Sequence, residues 1–245
     1  MTAAPRILLT RTAADNARWM QVLRAEGLEG VDFPCLEVHA IEGTDPLVRA
    51  HADDADTWAF VSPRAVKLAA TLPVAPSPAV RLAAVGTVTA EALRTRFGRV
   101  DVVASAGTGA SLASDLTVLE PRPRGVLWLG AVDGAIDGVT SLEAAGIPVW
   151  TIGLYRTVPA SAPQEARADV DALHVDAVFV ASPSAWTGLQ ARAELPDALR
   201  LVTIGPTTSA AVRASGRDVF AESDHRDLAG LVAAWRRAVH TEANA

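Results

Sequence analysis

The chain has 245 residues, 50% of them hydrophobic and 20% charged, with a formal net charge of −6. That apolar fraction can offset the entropy of ordering, which excludes a polar disordered chain. The acidic balance argues against a broad nucleic-acid-binding face, which is basic, and no apolar run approaches the ~18–20 residues of a membrane-spanning helix.

Residues Met1–Pro5 lack the basic and long apolar regions of a secretory leader, and none is expected. The first predicted strand is Ile7–Leu9. Cys35 is the only cysteine; it rules out an internal disulfide or a cysteine-rich metal site and suits a reducing, cytoplasmic location. Asp53, Asp54 and Asp56 read as a solvated helix end or loop. Further strands are predicted at Trp58–Val61, Leu82–Val85, Val100–Ala104, Val126–Leu129, Val178–Ala181 and Leu201–Ile204, each short and closed by turn residues. Between them, Ala65–Thr71, Ala90–Arg96 and Ser209–Ser215 have helical composition and spacing. This alternation predicts an α/β architecture with mainly parallel strands. Lys67, the only lysine, falls inside a predicted helix, and no phosphate-binding G-x-x-x-x-G-K-[ST] loop is present.

The chain also repeats itself. Phe60-Val-Ser-Pro-Arg-Ala-Val66 matches Val180-Ala-Ser-Pro-Ser-Ala-Trp186, and Ala84-Val-Gly-Thr-Val-Thr-Ala90 matches Thr203-Ile-Gly-Pro-Thr-Thr-Ser209. Leu23–Gly27 matches Leu142–Gly146, and Arg6-Ile-Leu-Leu-Thr10 falls opposite Val126-Leu-Trp-Leu-Gly130. Offsets of 119 to 120 residues are about half the chain. They point to two similar domains rather than a solenoid, whose periods are much shorter.

The informative residues lie where strands hand over to helices. Ser62-Pro63 and Ser182-Pro183 combine a good N-cap with a residue suited to the first helical position. Gly86-Thr-Val-Thr89 and Gly205-Pro-Thr-Thr208 make equivalent turns one strand later. Helix N-termini bind anions without lysine, and the carboxyl ends of strands are where ligands sit in open α/β sheets. Several such ends, from two facing domains, would suit a ligand with several carboxylates. Gly107-x-Gly109 resembles a dinucleotide loop but lacks the third glycine. His39, His51, His174, His225 and His240 show no metal spacing, and no metal site is expected. No G-x-S-x-G elbow is present. Trp19, Trp128, Trp150 and Trp235 read as packing residues, and Arg236-Arg237 as part of a C-terminal amphipathic helix.

Tyr155, the only tyrosine, closes an extended segment before a Pro159–Pro163 linker. A phenol, ionising only near pH ~10, holds its proton at neutral pH and can donate it.

Taken together, Leu8-Leu-Thr-Arg11, Phe33-Pro34, Phe60–Val66, Ala84–Ala90, Leu154-Tyr-Arg-Thr157, Ser182-Pro-Ser184 and Ile204-Gly-Pro-Thr-Thr208 resemble the uroporphyrinogen-III synthase family, in the family's order and over nearly the whole chain. The resemblance implies two flavodoxin-like α/β domains with parallel sheets, joined by a two-stranded antiparallel connector. One domain would comprise residues 1–36 with 159–245 and the other 39–155, with connectors at about 35–40 and 152–158. Periodicity alone would put the boundary near residue 122; the crossing comes from the family, and fits the duplication if the first βα units of the halves are exchanged.

The activity implied is cyclisation of hydroxymethylbilane, a linear tetrapyrrole with eight carboxylates, to uroporphyrinogen III in haem biosynthesis. It would run without a cofactor, in a cytoplasmic monomer that takes its substrate by transient hand-over from hydroxymethylbilane synthase. No nucleic-acid or membrane partner is expected. Tyr155 would be the general acid. Ser62, Thr87, Thr89, Ser182, Ser184, Thr207 and Thr208 would bind substrate, with Arg11 and Arg200 as carboxylate partners. The chain departs from many relatives in having Val61 and Ala181 before its Ser-Pro pairs, and Asp133 and Asp137 but no basic residue in the loop Gly130–Gly138. The alternative is a non-catalytic module of the same fold that binds an anionic metabolite for regulation.

Overall fold

The computed structural model describes residues 3–162 and 167–244; Pro163 of the predicted linker lies outside them. The chain opens with β1 (Arg6–Leu9), α1 (Ala13–Ala25) and β2 (Glu29–Asp32). It continues through β3 (Leu36–Ala40), α2 (Thr44–His51), β4 (Thr57–Phe60), α3 (Pro63–Ala69), β5 (Arg81–Ala84) and α4 (Thr87–Phe97). Next come β6 (Val102–Val103), α5 (Gly109–Thr117), β7 (Val126–Ala131), α6 (Asp137–Ala144) and the long β8 (Val149–Pro159). The last stretch holds β9 (Ala168–Asp169), β10 (Ala177–Val180), α7 (Pro183–Arg192), β11 (Ala193–Glu194), β12 (Leu201–Thr203), α8 (Pro206–Ala214), β13 (Ala221–Glu222) and α9 (Leu228–Ala243).

These elements form two compact units: Met1–Val38 with Val158–Ala245, and His39–Thr157. The sheet of the first runs β13-β12-β10-β1-β2 and is parallel throughout. Counted along the chain this is the flavodoxin order 2-1-3-4-5. The sheet of the second runs β3-β8-β7-β4-β5-β6, parallel from β8 to β6.

The two sheets share one plan. In the second, β7–α6–β8 stands where β1–α1–β2 stands in the first; it comes last in the chain instead of first. The internal repeat follows from this. Gly27 and Gly146, matched in the repeat, both end a helix in the left-handed region, at φ 73° and 76°; glycine takes that conformation without a Cβ penalty.

Outside β8 lies β3. The N–H of Ala160 donates to the Cys35 carbonyl (2.8 Å) and that of Ile41 to the Leu154 carbonyl (2.9 Å), so these segments run antiparallel.

The central strands are covered on both faces, which is why they read as unbroken apolar runs. Successive side chains alternate between faces. Ile7 and Leu9 pack with Leu231 and Trp235, while Leu8 packs with Val178, Trp186 and Leu189. In the second unit Trp58 and Phe60 join Leu127 and Leu129 on one face, and Ala59 joins Val126 and Trp128 on the other. Five predicted strands stop one residue early, at Phe60, Ala84, Val103, Val180 and Thr203; of these, β6 also starts two residues late. The residues after the other four, Val61, Val85, Ala181 and Ile204, begin the turns into the helices.

Candidate active site

In an open α/β sheet, ligands sit beyond the carboxyl ends of the strands, where the strand order reverses. In the first unit this point lies between β1 and β10, and in the second between β7 and β4. Ser182 follows β10 and Ser62 follows β4. Both Ser-Pro turns therefore stand at the switch point of their own sheet.

Each serine caps its helix. Ser62 Oγ accepts the N–H of Ala65 at 3.0 Å, and Ser182 Oγ that of Ala185 at 3.0 Å. Both residues have extended backbone, with φ −163° and −172°. One strand outward, Gly86 and Gly205 precede α4 and α8 and supply no side-chain cap.

The threonines divide. Thr87 and Thr207 are exposed on the first turns. Thr89 and Thr208 are each only 2% exposed, and the structure turns them inward behind the first pair. Two positions along a helix is a rotation of ~200°, which carries Thr89 to the face opposite Thr87. Ser184 is exposed at the start of α7.

Arg11 lies at the carboxyl end of β1, but its guanidinium is engaged: it is 3.5 Å from the Asp15 carboxylate and over the Trp19 ring at 5.1 Å. Asp15 also pairs with Arg18. Arg200 is a correction. It precedes β12, so it lies at the amino edge of a parallel sheet, away from the strand-end turns. Its guanidinium pairs with Glu242 (2.8 Å) and stacks over Phe220. It belongs to a different cavity of about 540 Å³, with Asp197, Arg217 and Glu242 in the wall.

Tyr155 is in register with Ala131, the last residue of β7, which places it at the carboxyl edge. It is 6% exposed and packs in the core cluster with Phe60 and Leu129. Its hydroxyl donates to Ser62 Oγ at 2.9 Å, joining two residues 93 positions apart at the switch point of the second unit.

Two cations were not singled out by the sequence. Arg226 follows the two-residue strand β13 and lines a cavity of about 270 Å³ with Ser182, Pro183, Gly205, Thr207 and Thr208. Arg156, next to Tyr155, reaches Asp133 at 3.5 Å, bringing a positive charge to a loop that has none of its own. A strand end before Arg226 would have been the signal, but β13 is too short to show in the sequence; Arg156 lies within β8 and carried no such signal.

In Gly107-x-Gly109 the first glycine makes the turn before α5, at φ 69°, and the second serves packing. A Cβ on Gly138 would lie 2.5 Å from the Gly109 carbonyl oxygen and 2.6 Å from the Trp128 ring, so these glycines let α5 and α6 meet. Thr108 and Ser111 form a capping box at the start of α5. Cys35 is wholly buried. Burial pushes its thiol up to about 12, against a lowering by Arg192, which keeps it protonated and unreactive. Among the described residues no group of three or more His, Cys, Asp or Glu side chains is arranged to hold a metal, and no helix is long and apolar enough to cross a membrane.

The fold is similar to that of two solved structures. One is a mutant uroporphyrinogen III synthase from the extremely thermophilic bacterium Thermus thermophilus, at 20% identity and a TM-score of 0.52, covering 97% of this chain and all of that one. The other is the uroporphyrinogen-III synthetase of Helicobacter pylori, at 17% identity and a TM-score of 0.58, covering 93% and 96%. A search of curated protein sequences gives no significant match. The family model for uroporphyrinogen-III synthase HemD matches residues 17–233. That span takes in both switch-point serines, Tyr155 and the repeated turns, and with them the chain belongs to the uroporphyrinogen-III synthase family of tetrapyrrole biosynthesis.

Proposed function

We propose that this enzyme cyclises hydroxymethylbilane to uroporphyrinogen III with inversion of ring D. The hydroxymethyl carbon on ring A loses its hydroxyl as water, leaving an electrophilic azafulvene. Ring D attacks through its substituted carbon to give a spiro intermediate, which fragments and recloses with ring D reversed. The sequence is a dehydration with carbon–carbon bond formation and no net redox change, so the reading is a cyclising hydro-lyase that uses no cofactor.

The observation that carries this reading is the Tyr155–Ser62 hydrogen bond of 2.9 Å, a phenol proton held at the switch point of a sheet. Tyr155 supplies the acid that leaves with the hydroxyl. Ser182, Ser184, Thr207 and Arg226 bind substrate carboxylates at the strand ends of the first unit, and Thr87 offers a hydroxyl at a strand end of the second. Fixed donors of this kind position ring D and stabilise developing charge. Thr89 and Thr208 act behind them by holding the first turns of α4 and α8. Arg11 contributes only where a substrate carboxylate displaces Asp15.

The test is the product isomer ratio. Purified protein receives fresh hydroxymethylbilane from a coupled synthase, and the oxidised products are resolved as isomers I and III. Isomer III, formed faster than the blank, is the expected result. Isomer I alone, at the spontaneous rate, removes the catalytic reading and leaves the non-catalytic binding module.

A further inference from the structure

We propose that Ser62 is the group that protonates the departing hydroxyl, and that Tyr155 acts through it as a positioning residue that resupplies the proton. This rests on the reading of Tyr155 as the source of the acid proton.

The argument starts from what one serine oxygen can do. A hydroxyl has two lone pairs and one hydrogen. One lone pair of Ser62 Oγ takes the N–H of Ala65 at 3.0 Å, and the other takes the hydroxyl of Tyr155 at 2.9 Å. Both acceptor positions are filled, so Ser62's own hydrogen is the one the pair has left to give. The Tyr155 proton is already committed to serine. Burial agrees: Tyr155 is 6% exposed and set in the core cluster, whereas Ser62 is only partly buried. The cap and the extended backbone at φ −163° fix the serine rotamer, so the acceptor geometry is held before any ligand arrives.

The step balances. The C–O bond of the hydroxymethyl group breaks and its electron pair leaves on oxygen. That oxygen takes the proton from Ser62 Oγ as Ser62 takes the proton from Tyr155, giving water, an intact serine and a phenolate. Ring closure later releases one proton from ring D, and the phenolate, again through Ser62, takes it up. Nothing is oxidised or reduced.

The test uses the full chain with hydroxymethylbilane from a coupled synthase, comparing Ser62→Asn, Ser62→Thr, Tyr155→Phe and the Asn/Phe double variant. Asparagine is as good an N-cap as serine, so Ser62→Asn keeps α3 while removing a group that relays a proton; thermal unfolding confirms the fold. We expect Ser62→Asn to lose about 100-fold in kcat, within the range for general acid catalysis, with KM nearly unchanged. Ser62→Thr, which keeps the hydroxyl, recovers most of that loss. The double variant is no slower than the slower single one, because one proton path has been cut twice. In the wild type the solvent isotope effect on kcat shows two protons in flight, and in Ser62→Asn it does not.

Three results overturn the relay. If Tyr155→Phe is slow while Ser62→Asn keeps its rate, the phenol acts directly, and the acid reading of Tyr155 survives without Ser62. If Ser62→Thr is as slow as Ser62→Asn, the serine is structural. If Tyr155→Phe keeps its rate, the acid reading fails and the relay with it.

Discussion

Gly188, in the middle of α7, faces the carbonyl oxygen of Cys35 so closely that a Cβ would lie 2.0 Å from it. The same Cβ would lie 2.9 Å from the Cys35 carbonyl carbon and 3.2 Å from the nitrogen of Ala160. These are backbone atoms, already joined by the Ala160–Cys35 hydrogen bond of 2.8 Å that opens the connector. Neither can swing aside as a flexible side chain would.

Gly188→Ala is therefore expected to destabilise the protein by about 1–3 kcal/mol or more, the usual cost of overpacking. Helix propensity acts the other way, favouring alanine by ~1 kcal/mol, so a net loss isolates the clash. Urea unfolding beside Thr187→Ala, an exposed neighbour, is the measurement. A Gly188→Ala protein as stable as the wild type would show that α7 does not need the close approach.

Cys35 lies at the same contact, and its thiol is raised from 9.0 to about 12 by burial. The unfolded chain releases this proton near pH 9 while the folded chain still holds it. The thiol's contribution to stability is thus complete below about pH 9 and is lost as pH rises toward 12. Over that window Cys35→Ala should lose stability less steeply than the wild type, by up to ~1.4 kcal/mol per pH unit. Equal slopes from denaturant titrations at several pH values would contradict this. Alkylation gives a second check: Cys35 should resist iodoacetamide at about pH 8, where an ordinary thiol is partly ionised, until the chain is unfolded.

What was legible in the sequence was what local chemistry decides. β1, β4, β7 and β10 were readable because burial on both faces leaves continuous apolar runs. Two of the edge strands were not: β2 is Glu29-Gly-Val-Asp32 and β13 only Ala221-Glu222, and half-exposed edges of that composition carry no such signature; β6, also at an edge, showed only because Val102–Val103 lies inside the run Val100–Ala104. Ser62 and Ser182 were readable as caps because capping needs only a side chain and its own next turn. Which threonine of each pair faces outward was not, since helix register depends on how the glycine turn seats the first residue. The Tyr155–Ser62 bond spans 93 positions and leaves no local trace. Arg200 came to the site from the family resemblance alone, and no local signal supported it: it flanks the amino end of β12, whereas ligands sit beyond the carboxyl ends.

Ser182 separates capping from binding. Ser182→Ala removes the acceptor for the Ala185 N–H and is expected to cost ~1 kcal/mol of stability. Ser182→Asp keeps a good cap, and its charge suits the helix N-terminus, so stability should be retained. The same carboxylate stands in the cavity proposed for substrate carboxylates and should raise KM about tenfold, equivalent to ~1.4 kcal/mol. Melting temperature and KM measured together decide it. If Ser182→Asp binds hydroxymethylbilane as well as the wild type, this cavity does not hold a carboxylate.

Arg226 is exposed and lines the same 270 Å³ cavity, with no hydrogen-bond or ion-pair partner among the described residues. A guanidinium so placed contributes little to folding, and Arg226→Gln should change stability by less than ~0.5 kcal/mol. Its effect should fall on substrate: KM rises about fivefold to tenfold at low salt, within the strength of charge-assisted hydrogen bonds. Because the cation is at the surface, the difference from wild type should shrink as the Debye length falls from ~10 Å at 0.1 M to ~3 Å at 1 M salt. Arg226→Lys should keep the salt dependence while losing part of the affinity, since an ammonium group lacks the planar fork that grips a carboxylate. A KM for Arg226→Gln that matches the wild type at every ionic strength would show that the cavity is filled by some other part of the substrate, and that the grip of this unit comes from Ser182, Ser184 and Thr207 without the cation.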